Sequence, residues 1–370
     1  MVKPDLILHA GRPKTGTSTI QQFLKQNAQI LAKDHNIYFP LCMGVNQRWL
    51  TFLTGLKDEK WAIKHRYINN TKARDELFSQ KLNELLKDLK QYSTHQWIMS
   101  SEILTSGLAQ EDNIKNLKRF LKEHFNQIQI VIYIREQTAA AISALSQRIK
   151  GGHVIDEDFL YSLNNPRQTS RIYNYELMLT PWIKHFGEKS IKLKIFCKTK
   201  FKNSNLTDDF CDLLTIKSTE AFELPEQVNT SLSESGMRLL NEFNRSVQKF
   251  SSTELNNDRQ KFIFKIILEH SNGLKKYCPS IEMVQAYEEC FKESNEWIRR
   301  TFFPQQHQLW KPYLLIQDKD YNETTFNINE TERILINSYL DLYNTTISLK
   351  NKATKSGKTK KRRSKNKQIG

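Results

Sequence analysis

The chain has 370 residues, which is enough for one large α/β domain or two smaller ones. Its composition, 38% hydrophobic and 26% charged, is typical of a globular protein, and no apolar run is long enough to cross a bilayer. The five cysteines are scattered and form no C-x-x-C pair, which argues against a disulfide framework and a zinc site. The apolar run at residues 6–10 is too short for a signal peptide, and we therefore expect a cytoplasmic protein.

The positive charge of the chain is concentrated at its C-terminus. Residues 350–370 contain ten Lys or Arg and no acidic residue, so the formal charge falls from +16 to +6 without them. Because this segment lacks apolar periodicity, we predict a disordered basic tail at 350–370 behind a folded domain at 1–349. Such tails are usually just solvated, and the charge would also allow electrostatic contact with anionic polymers or a membrane surface.

Five segments are predicted as strands, and apolar residues at helical spacing lie between them. In chain order the strands are Leu6–Ala10, Ile37–Phe39, Gln96–Ser100, Ile128–Ile134 and Ile191–Phe196. Strands that alternate with helices predict an α/β protein with a parallel sheet and helices on both faces. Pro181 is expected to kink or restart the helix before the fifth strand. Beyond about Asn203 the pattern predicts a mostly helical C-terminal part.

A glycine-bearing loop joins the first strand to the first helix. It reads Gly11-Arg12-Pro13-Lys14-Thr15-Gly16-Thr17-Ser18 and stands where backbone N–H groups, here those of Thr15 to Ser18, can hold a phosphate. The nucleotide-binding pattern G-x-x-x-x-G-K-[ST] matches at Gly11, Gly16 and Ser18. Thr17 occupies the lysine position, and the lysine lies inside the loop at Lys14, closer to the group bonded to the first phosphate. A degenerate nucleotide loop or a chance turn is the alternative.

A second candidate anion site lies where the fourth predicted strand ends. Arg135 follows Ile128–Ile134 directly, and Ser143 lies eight residues later, about two turns into the next helix. An arginine fork and a helical hydroxyl can hold one phosphate together. A metal-dependent phosphotransferase would instead carry an aspartate for Mg²⁺ at such a strand end. Two alternatives remain. Arg135 would form a surface ion pair with Glu136 or another acid, and Ser143 would be an ordinary helical serine, with Ser146 as a rival candidate.

These two sites together resemble a known family. Residues 13–18, P-K-T-G-T-S, are similar to the P-K-[TS]-G-T-[TS] loop of sulfotransferases that use 3′-phosphoadenosine-5′-phosphosulfate, called PAPS below, and the Arg135-to-Ser143 spacing is similar to that of their 3′-phosphate site. Looser similarity to bacterial carbohydrate-type sulfotransferases covers Tyr175–Gly187, Asn229–Ser233 and Asn295–Pro304. The resemblance implies a P-loop NTPase-like sulfotransferase fold, PAPS as the donor, no metal, a saccharide or polysaccharide as the hydroxyl acceptor, and no specific nucleic acid.

The resemblance also implies a role for each loop residue. The cofactor-binding residues would be Arg12, Lys14, Thr15, Gly16, Thr17 and Ser18 for the 5′-phosphosulfate, with Arg135 and Ser143 for the 3′-phosphate. Lys14 would in addition be catalytic, because a lysine there can stabilise the oxygen that leaves with the phosphate.

The general base is predicted at Glu102. It ends the third predicted strand, where soluble small-molecule sulfotransferases carry a histidine in K-T-H. A structural acid paired with a nearby Lys or Arg is an equal alternative. His9 is expected to be packed under the loop, whereas His65 and His153 fall in regions that the pattern does not place.

The chain departs from the family after its second strand. Family members often carry a histidine shortly after the proline that ends this strand, and residues 44–48 of this chain, G-V-N-Q-R, contain none. Trp49, Trp61, Arg66 and Tyr67 follow, and they would line an acceptor groove or, as the likelier use of aromatic residues, pack in the core.

Two other function classes remain open on the sequence alone. A P-loop kinase or NTPase would need Mg²⁺ and a lysine at position 17, so metal dependence discriminates it from a sulfotransferase. A binding protein without catalysis would use the basic tail to hold nucleic acid or a membrane, with the loop as a vestige.

Overall fold

The computed structural model describes most of the chain, in several ranges. They are residues 2–54, 71–107, 111–156, 164–166, 170–225, 232–247, 277–311, 340 and 346–347. His65, Trp61, Arg66, Tyr67, residues 229–231 and the predicted tail lie outside the described residues.

The described residues form five strands and eleven α-helices. The strands are β1 (Leu6–Ala10), β2 (Ile37–Tyr38), β3 (Gln96–Ser101), β4 (Ile128–Ile134) and β5 (Ile191–Ile195). The helices are α1 (Thr17–Gln26), α2 (Ala28–His35), α3 (Thr71–Gln91), α4 (Ile103–Gly107), α5 (Glu111–His124), α6 (Gln137–Lys150), α7 (Ser170–Tyr173), α8 (Tyr175–Phe186), α9 (Leu206–Leu213), α10 (Glu234–Val247) and α11 (Ile281–Phe302). Short 3₁₀ turns lie at Leu41–Met43, Arg48–Thr54, Glu188–Ser190, Lys198–Lys200 and Lys202–Ser204.

The strands form one parallel sheet in the order β2-β3-β1-β4-β5. β1 lies in the centre, because it pairs with β3 on one side and with β4 on the other. The predicted α/β class with a parallel sheet is therefore confirmed, and each strand falls within one residue of its predicted bounds.

Helices cover both faces of this sheet, as predicted. Alternate residues of β1 point to opposite sides, with Leu8 in one apolar core and Ile7 in the other. The first core receives α3, α5, α8 and the end of α11, and the second receives α1, α2 and α9. β1 and the last five residues of β4 are buried on both faces, which explains why β4 reads as an apolar run.

Two local breaks differ from the sequence prediction in detail. The first helical stretch is interrupted at Asn27, whose side-chain amide donates to the carbonyl oxygens of Phe23 and Glu223. The helix before β5 restarts at Asn174, whose side chain accepts the Leu177 N–H, while Pro181 lies inside the continuous helix α8. In both cases an asparagine side chain, which competes with the backbone for hydrogen bonds, sets the boundary.

The chain divides into two compact units. The first comprises residues 1–144, 157–229 and 279–317 and contains the whole sheet. The second comprises residues 145–156, 230–278 and 318–370, and within it the Asn244 amide of α10 donates to the carbonyl oxygens of Ile149 and His153. After β5 the described chain holds helices α9, α10 and α11, as the mostly helical C-terminal pattern predicts. The predicted boundary between residues 349 and 350 stays a prediction.

None of the helices in the described part of the chain combines the length and the apolar character that a membrane crossing requires.

Candidate functional site

The carboxyl ends of four neighbouring strands carry the predicted site. In the sheet β3, β1, β4 and β5 lie side by side and parallel, so their carboxyl ends form one edge. Glu102 follows β3, Gly11 opens the loop after β1, Arg135 follows β4 and Phe196 follows β5. Open parallel sheets bind their ligands at this edge.

The loop between β1 and α1 turns on two residues in the left-handed region. Lys14 has a φ of 70° and Gly16, the N-cap of α1, has a φ of 72°. Between them the Thr15 hydroxyl donates to the Arg12 carbonyl oxygen at 2.7 Å, and the Thr15 N–H donates to the same oxygen at 3.3 Å. A lysine in this region costs about 1 kcal/mol or more, and such strain concentrates at ligand-binding turns. The Thr15 N–H, predicted as a phosphate donor, is already engaged within the loop.

The first turn of α1 supplies further donors. Thr17 and Ser18 begin this ten-residue helix, and the first amides of a helix have no acceptor within it. The first turn contains no acidic residue, so no side chain there neutralises the positive end of the helix dipole. Ser18 is exposed and Thr17 is buried. This helix end is suited to an anion.

Gly16 is required by its neighbours as well as by its backbone. A Cβ atom at this position would lie 2.2 Å from a Leu206 methyl group and 2.8 Å from the Phe196 ring. Both side chains therefore pack directly against the loop, and a larger residue would displace it.

Arg12, the second residue of the loop, is buried. It is only 5% exposed. Its Cζ lies 5.1 Å from the centroid of the Tyr175 ring, and its Nη1 donates to the Met178 sulfur at 3.4 Å. No carboxylate among the described residues forms a salt bridge with it. Because a buried cation without a counter-charge is costly, this guanidinium is a candidate for binding an anion.

Arg135 joins the second predicted site to the loop. Its Nη1 donates to the Lys14 carbonyl oxygen at 3.3 Å, and its Cζ lies 5.6 Å from the centroid of the Phe196 ring. The Arg135 carbonyl oxygen accepts the Tyr175 hydroxyl at 2.5 Å. The structure thus brings Arg135 into contact with the loop.

Ser143 is half-buried on α6, with no hydrogen bond to the loop recorded among the described residues. The rise of a helix places it about 9 Å along the axis from the start of α6. The hydroxyl of Ser146, its rival, is buried without a hydrogen-bond partner in the described part of the chain. Which serine holds a phosphate stays a prediction.

Glu136 caps α6. Its carboxylate accepts the N–H groups of Thr138 at 2.8 Å and Ala139 at 2.7 Å. Burial raises the pKa of this carboxyl, and the two amides and the Arg135 charge act in the opposite direction. Glu136 therefore has a capping role, and its predicted alternative role as an ion-pair partner of Arg135 stays a prediction.

Glu102 lies against the start of the loop. The Gly11 N–H donates to the Ser101 carbonyl oxygen at 3.0 Å, and the Thr105 hydroxyl donates to the Gly11 carbonyl oxygen at 2.6 Å. A Cβ atom at Gly11 would approach the Glu102 Cα to 3.3 Å. The backbone of the predicted base is therefore next to the loop, although its catalytic role is a separate question.

Gln47 fastens the segment that lacks the family's histidine. Its N–H donates to the Ser100 carbonyl oxygen at 3.0 Å, and its side-chain oxygen accepts the Ser100 N–H at 3.0 Å. Its side-chain amide donates to the Pro40 carbonyl oxygen. Gln47 thus continues the pairing along β3 beyond β2, and it holds Asn46 beside Glu102, where the Asn46 Oδ1 accepts the Glu102 N–H at 3.4 Å.

Of the remaining candidates, Trp49 and His153 lie within the described residues. Trp49 is fully buried against the rings of Phe52 and Phe78, as the core-packing alternative predicts. His153 is exposed, with its backbone N–H donating to Arg148.

His9 is packed under the loop, as expected. It is fully buried, and its Nδ1 lies 2.9 Å from the Ser100 hydroxyl, which also accepts the Gln21 amide at 3.2 Å. Burial lowers the pKa of His9 to about 3, so the imidazole is neutral at ordinary pH.

This burial predicts a pH dependence of stability. Between pH 6.5 and about 3 the unfolded chain takes up a proton at His9 that the folded protein refuses. The free energy of unfolding should therefore fall by about 1.4 kcal/mol per pH unit below pH 6 from this group alone. Urea unfolding of the wild type and of His9→Gln at several pH values would measure it. His9→Gln should lose this part of the slope, exposed His307→Gln should keep it, and equal slopes in all three proteins would contradict the assignment.

A cleft of about 1080 Å³ opens beside the site. It is lined by Glu136 and Gln137 at the start of α6, by residues of α11 and by residues 307–311. None of the loop residues 11–18, all of which the structure describes, lines it. We therefore do not assign the cleft to the anion site.

Sequence reasoning missed the side chains that pack against the two arginines. Phe196 is the last residue of the fifth predicted strand, and in the structure it lies one residue past the carboxyl end of β5. This position places it at the carboxyl edge of the sheet, where such sheets bind their ligands. In the sequence Tyr175 stands out only as the first residue of a stretch with family similarity. No periodicity could have paired it with Arg12 and Arg135, because those contacts join distant parts of the chain.

Comparisons with known proteins leave the family of this chain unassigned. No family model matches. An uncharacterized protein of Archaeoglobus fulgidus is 26% identical over 200 residues, which are 53% of this chain and 52% of the relative. The chain thus spans about half the length of that relative. A crystal structure of a sulfotransferase from Alicyclobacillus acidocaldarius is similar at a TM-score of 0.38 and 14% identity, over 73% of this chain and 97% of that chain. At these values neither likeness carries a functional argument.

Proposed function

We propose that the chain is a sulfotransferase that moves a sulfuryl group from PAPS to a hydroxyl group of an acceptor, which we take to be a saccharide. The proposal rests on the arrangement of charge at the carboxyl edge of the sheet and on the family motif of residues 13–18. We also propose that it acts in the cytoplasm, in keeping with five scattered cysteines that form no C-x-x-C pair.

The buried guanidinium of Arg12 is the observation that carries the proposal. It stands beside a helix N-terminus without acidic neighbours in its first turn and forms no salt bridge with a described residue. A bound phosphate or sulfate would provide the counter-charge that such a buried cation lacks. PAPS fits this chemistry, because it carries an anionic group at each end of a nucleoside and the edge carries arginines in two places, Arg12 and Arg135.

The transfer needs two things from the protein besides binding. Charge that grows on the leaving phosphate oxygen must be stabilised, which we assign to Lys14 in its strained left-handed turn. A proton must leave the acceptor hydroxyl, and we assign its removal to the carboxylate of Glu102, whose backbone lies next to Gly11. Gly16, Thr17 and Ser18 would hold the 5′-phosphate through backbone N–H groups, and Arg135 with Ser143 the 3′-phosphate.

Ligand choice tests the proposal directly. Adenosine 3′,5′-bisphosphate, the product nucleotide, should bind in the presence of EDTA at least about tenfold more tightly than ATP with Mg²⁺, because two separated cationic sites match its two phosphate groups. Calorimetric titration and the shift in melting temperature would measure both ligands. A preference for ATP, or binding of the bisphosphate that requires Mg²⁺, would point to a phosphotransferase and overturn the proposal.

The acceptor class needs its own test. Transfer of radiolabelled sulfur from PAPS should reach neutral or acidic saccharides in a panel that also contains phenols, steroids and hydroxyl-bearing peptides. Transfer to a phenol or steroid alone would keep the reaction and reject the saccharide.

A further inference from the structure

Tyr175 stands between the two arginines of the anion site. It is the first residue of α8 and is fully buried. Its place is fixed on two sides: the Asn174 side chain caps the helix, and the next N–H, that of Glu176, donates to the buried Ser294 hydroxyl of α11 at 3.2 Å. Because the Tyr175 ring is fixed in place, it can position the side chains that pack against it.

The ring of Tyr175 supports Arg12. The guanidinium carbon lies 5.1 Å from the ring centroid, within the range of a cation–π contact. One helical turn further on, the Met178 sulfur accepts from Nη1 of the same guanidinium. The hydroxyl groups of Tyr175 and of Tyr173 on α7 also interact with this guanidinium. None of these contacts supplies a negative charge.

The hydroxyl of Tyr175 supports Arg135 through the backbone. It donates to the Arg135 carbonyl oxygen, at the point where β4 ends and before α6 begins. This bond fixes the peptide from which the Arg135 side chain leaves the strand and reaches the Lys14 carbonyl oxygen. Burial raises the pKa of the Tyr175 hydroxyl, which therefore stays protonated and able to donate.

We infer that Tyr175 is a positioning residue that sets both arginines of the site, Arg12 through its ring and Arg135 through its hydroxyl. The inference rests on the proposed function. It distinguishes the two parts of one side chain: loss of the hydroxyl should loosen the Arg135 site more than the Arg12 site, and loss of the ring should loosen both sites.

Two variants and two ligands test this division. Tyr175→Phe should weaken the affinity for adenosine 3′,5′-bisphosphate about fivefold, the value of one hydrogen bond, and should weaken the affinity for adenosine 5′-phosphate less. Tyr175→Leu should weaken both ligands about tenfold or more, since a cation–π contact and the packing of Arg12 are lost as well. Leu179→Ala is the matched control, because Leu179 is fully buried on the same helix and should lower the melting temperature without changing either affinity. All affinities are measured by titration well below the melting temperature of the least stable variant.

The outcomes separate this inference from the proposed function. If the wild type fails to bind adenosine 3′,5′-bisphosphate, the proposed function itself is wrong. If the wild type binds it and Tyr175→Phe binds both ligands as the wild type does, or loses both equally, the inference is wrong while the function stands. Should Tyr175→Leu fail to fold, the ligand ratio in Tyr175→Phe still decides.

Discussion

Replacing Lys14 with alanine is expected to lower the turnover of sulfuryl transfer about a hundredfold or more and to change the affinity for adenosine 3′,5′-bisphosphate far less. The reason is that charge on the leaving oxygen grows during the reaction, so its stabilisation contributes mainly to the transition state. The backbone supports the choice of residue, because the loop keeps a lysine in a left-handed turn that glycine or asparagine would adopt with less strain. Steady-state kinetics with labelled PAPS and calorimetric titration give the two quantities.

Arg135→Ala should have the opposite effect, with a larger loss of nucleotide affinity than of turnover. The 3′-phosphate does not react, so loss of its fork should weaken nucleotide binding about thirtyfold, near 2 kcal/mol, and lower turnover at saturation much less. Lys25→Ala, at the exposed far end of α1, and Arg148→Ala, near the end of α6, control for the loss of one charge. Equal losses of binding and turnover in both site variants would contradict the division of roles.

Replacing Glu102 with glutamine is expected to cut turnover about a hundredfold or more, with the fold and nucleotide affinity kept. A general base contributes roughly that factor, and an amide of the same shape cannot take the proton. Turnover, melting temperature and the affinity for adenosine 3′,5′-bisphosphate are measured together, since the three distinguish a base from a structural acid. Raising the pH should not restore the turnover of Glu102→Gln, because the group that accepts the proton is absent.

Glu111→Gln serves as the control, since Glu111 is a surface carboxylate paired with Lys184. Near-normal turnover of Glu102→Gln would place the base elsewhere, with His65 and then His153 as the next candidates. Loss of nucleotide binding or of stability would mark Glu102 as a structural partner of the loop that begins at Gly11.

The strands and most helices could be predicted because their signal is local. β4 is a run of seven residues without a charge, which is typical of a buried strand. Leu85 and Leu89 are four residues apart and share one face of α3, which is typical of a helix with one buried side. The loop was equally accessible, because its glycines and its place between a strand and a helix are visible along the chain. Arg135 and Glu102 followed from the rule that chemistry collects at the carboxyl ends of parallel strands.

What could not be predicted depends on contacts between distant residues. The packing of Arg12 on Tyr175 joins residues separated by more than half of the first compact unit, and no pattern along the chain records it. The break at Asn27 follows from its bonds to Glu223 rather than from helix propensity. Gln47, which replaces strand pairing beside Ser100, likewise shows its role only once β3 is in place.

The hydrogen bond from Arg135 to the Lys14 carbonyl oxygen ties the two proposed anion sites together, so that one cannot move without the other. A ligand with a single phosphate gains only one of them, whereas a ligand that carries both gains the second at a high effective concentration, since its first contact has already paid the entropy of association. The two proposed sites would then act together as a chelator. They would favour a nucleotide that carries phosphate groups at both ends over one that carries them at one end only.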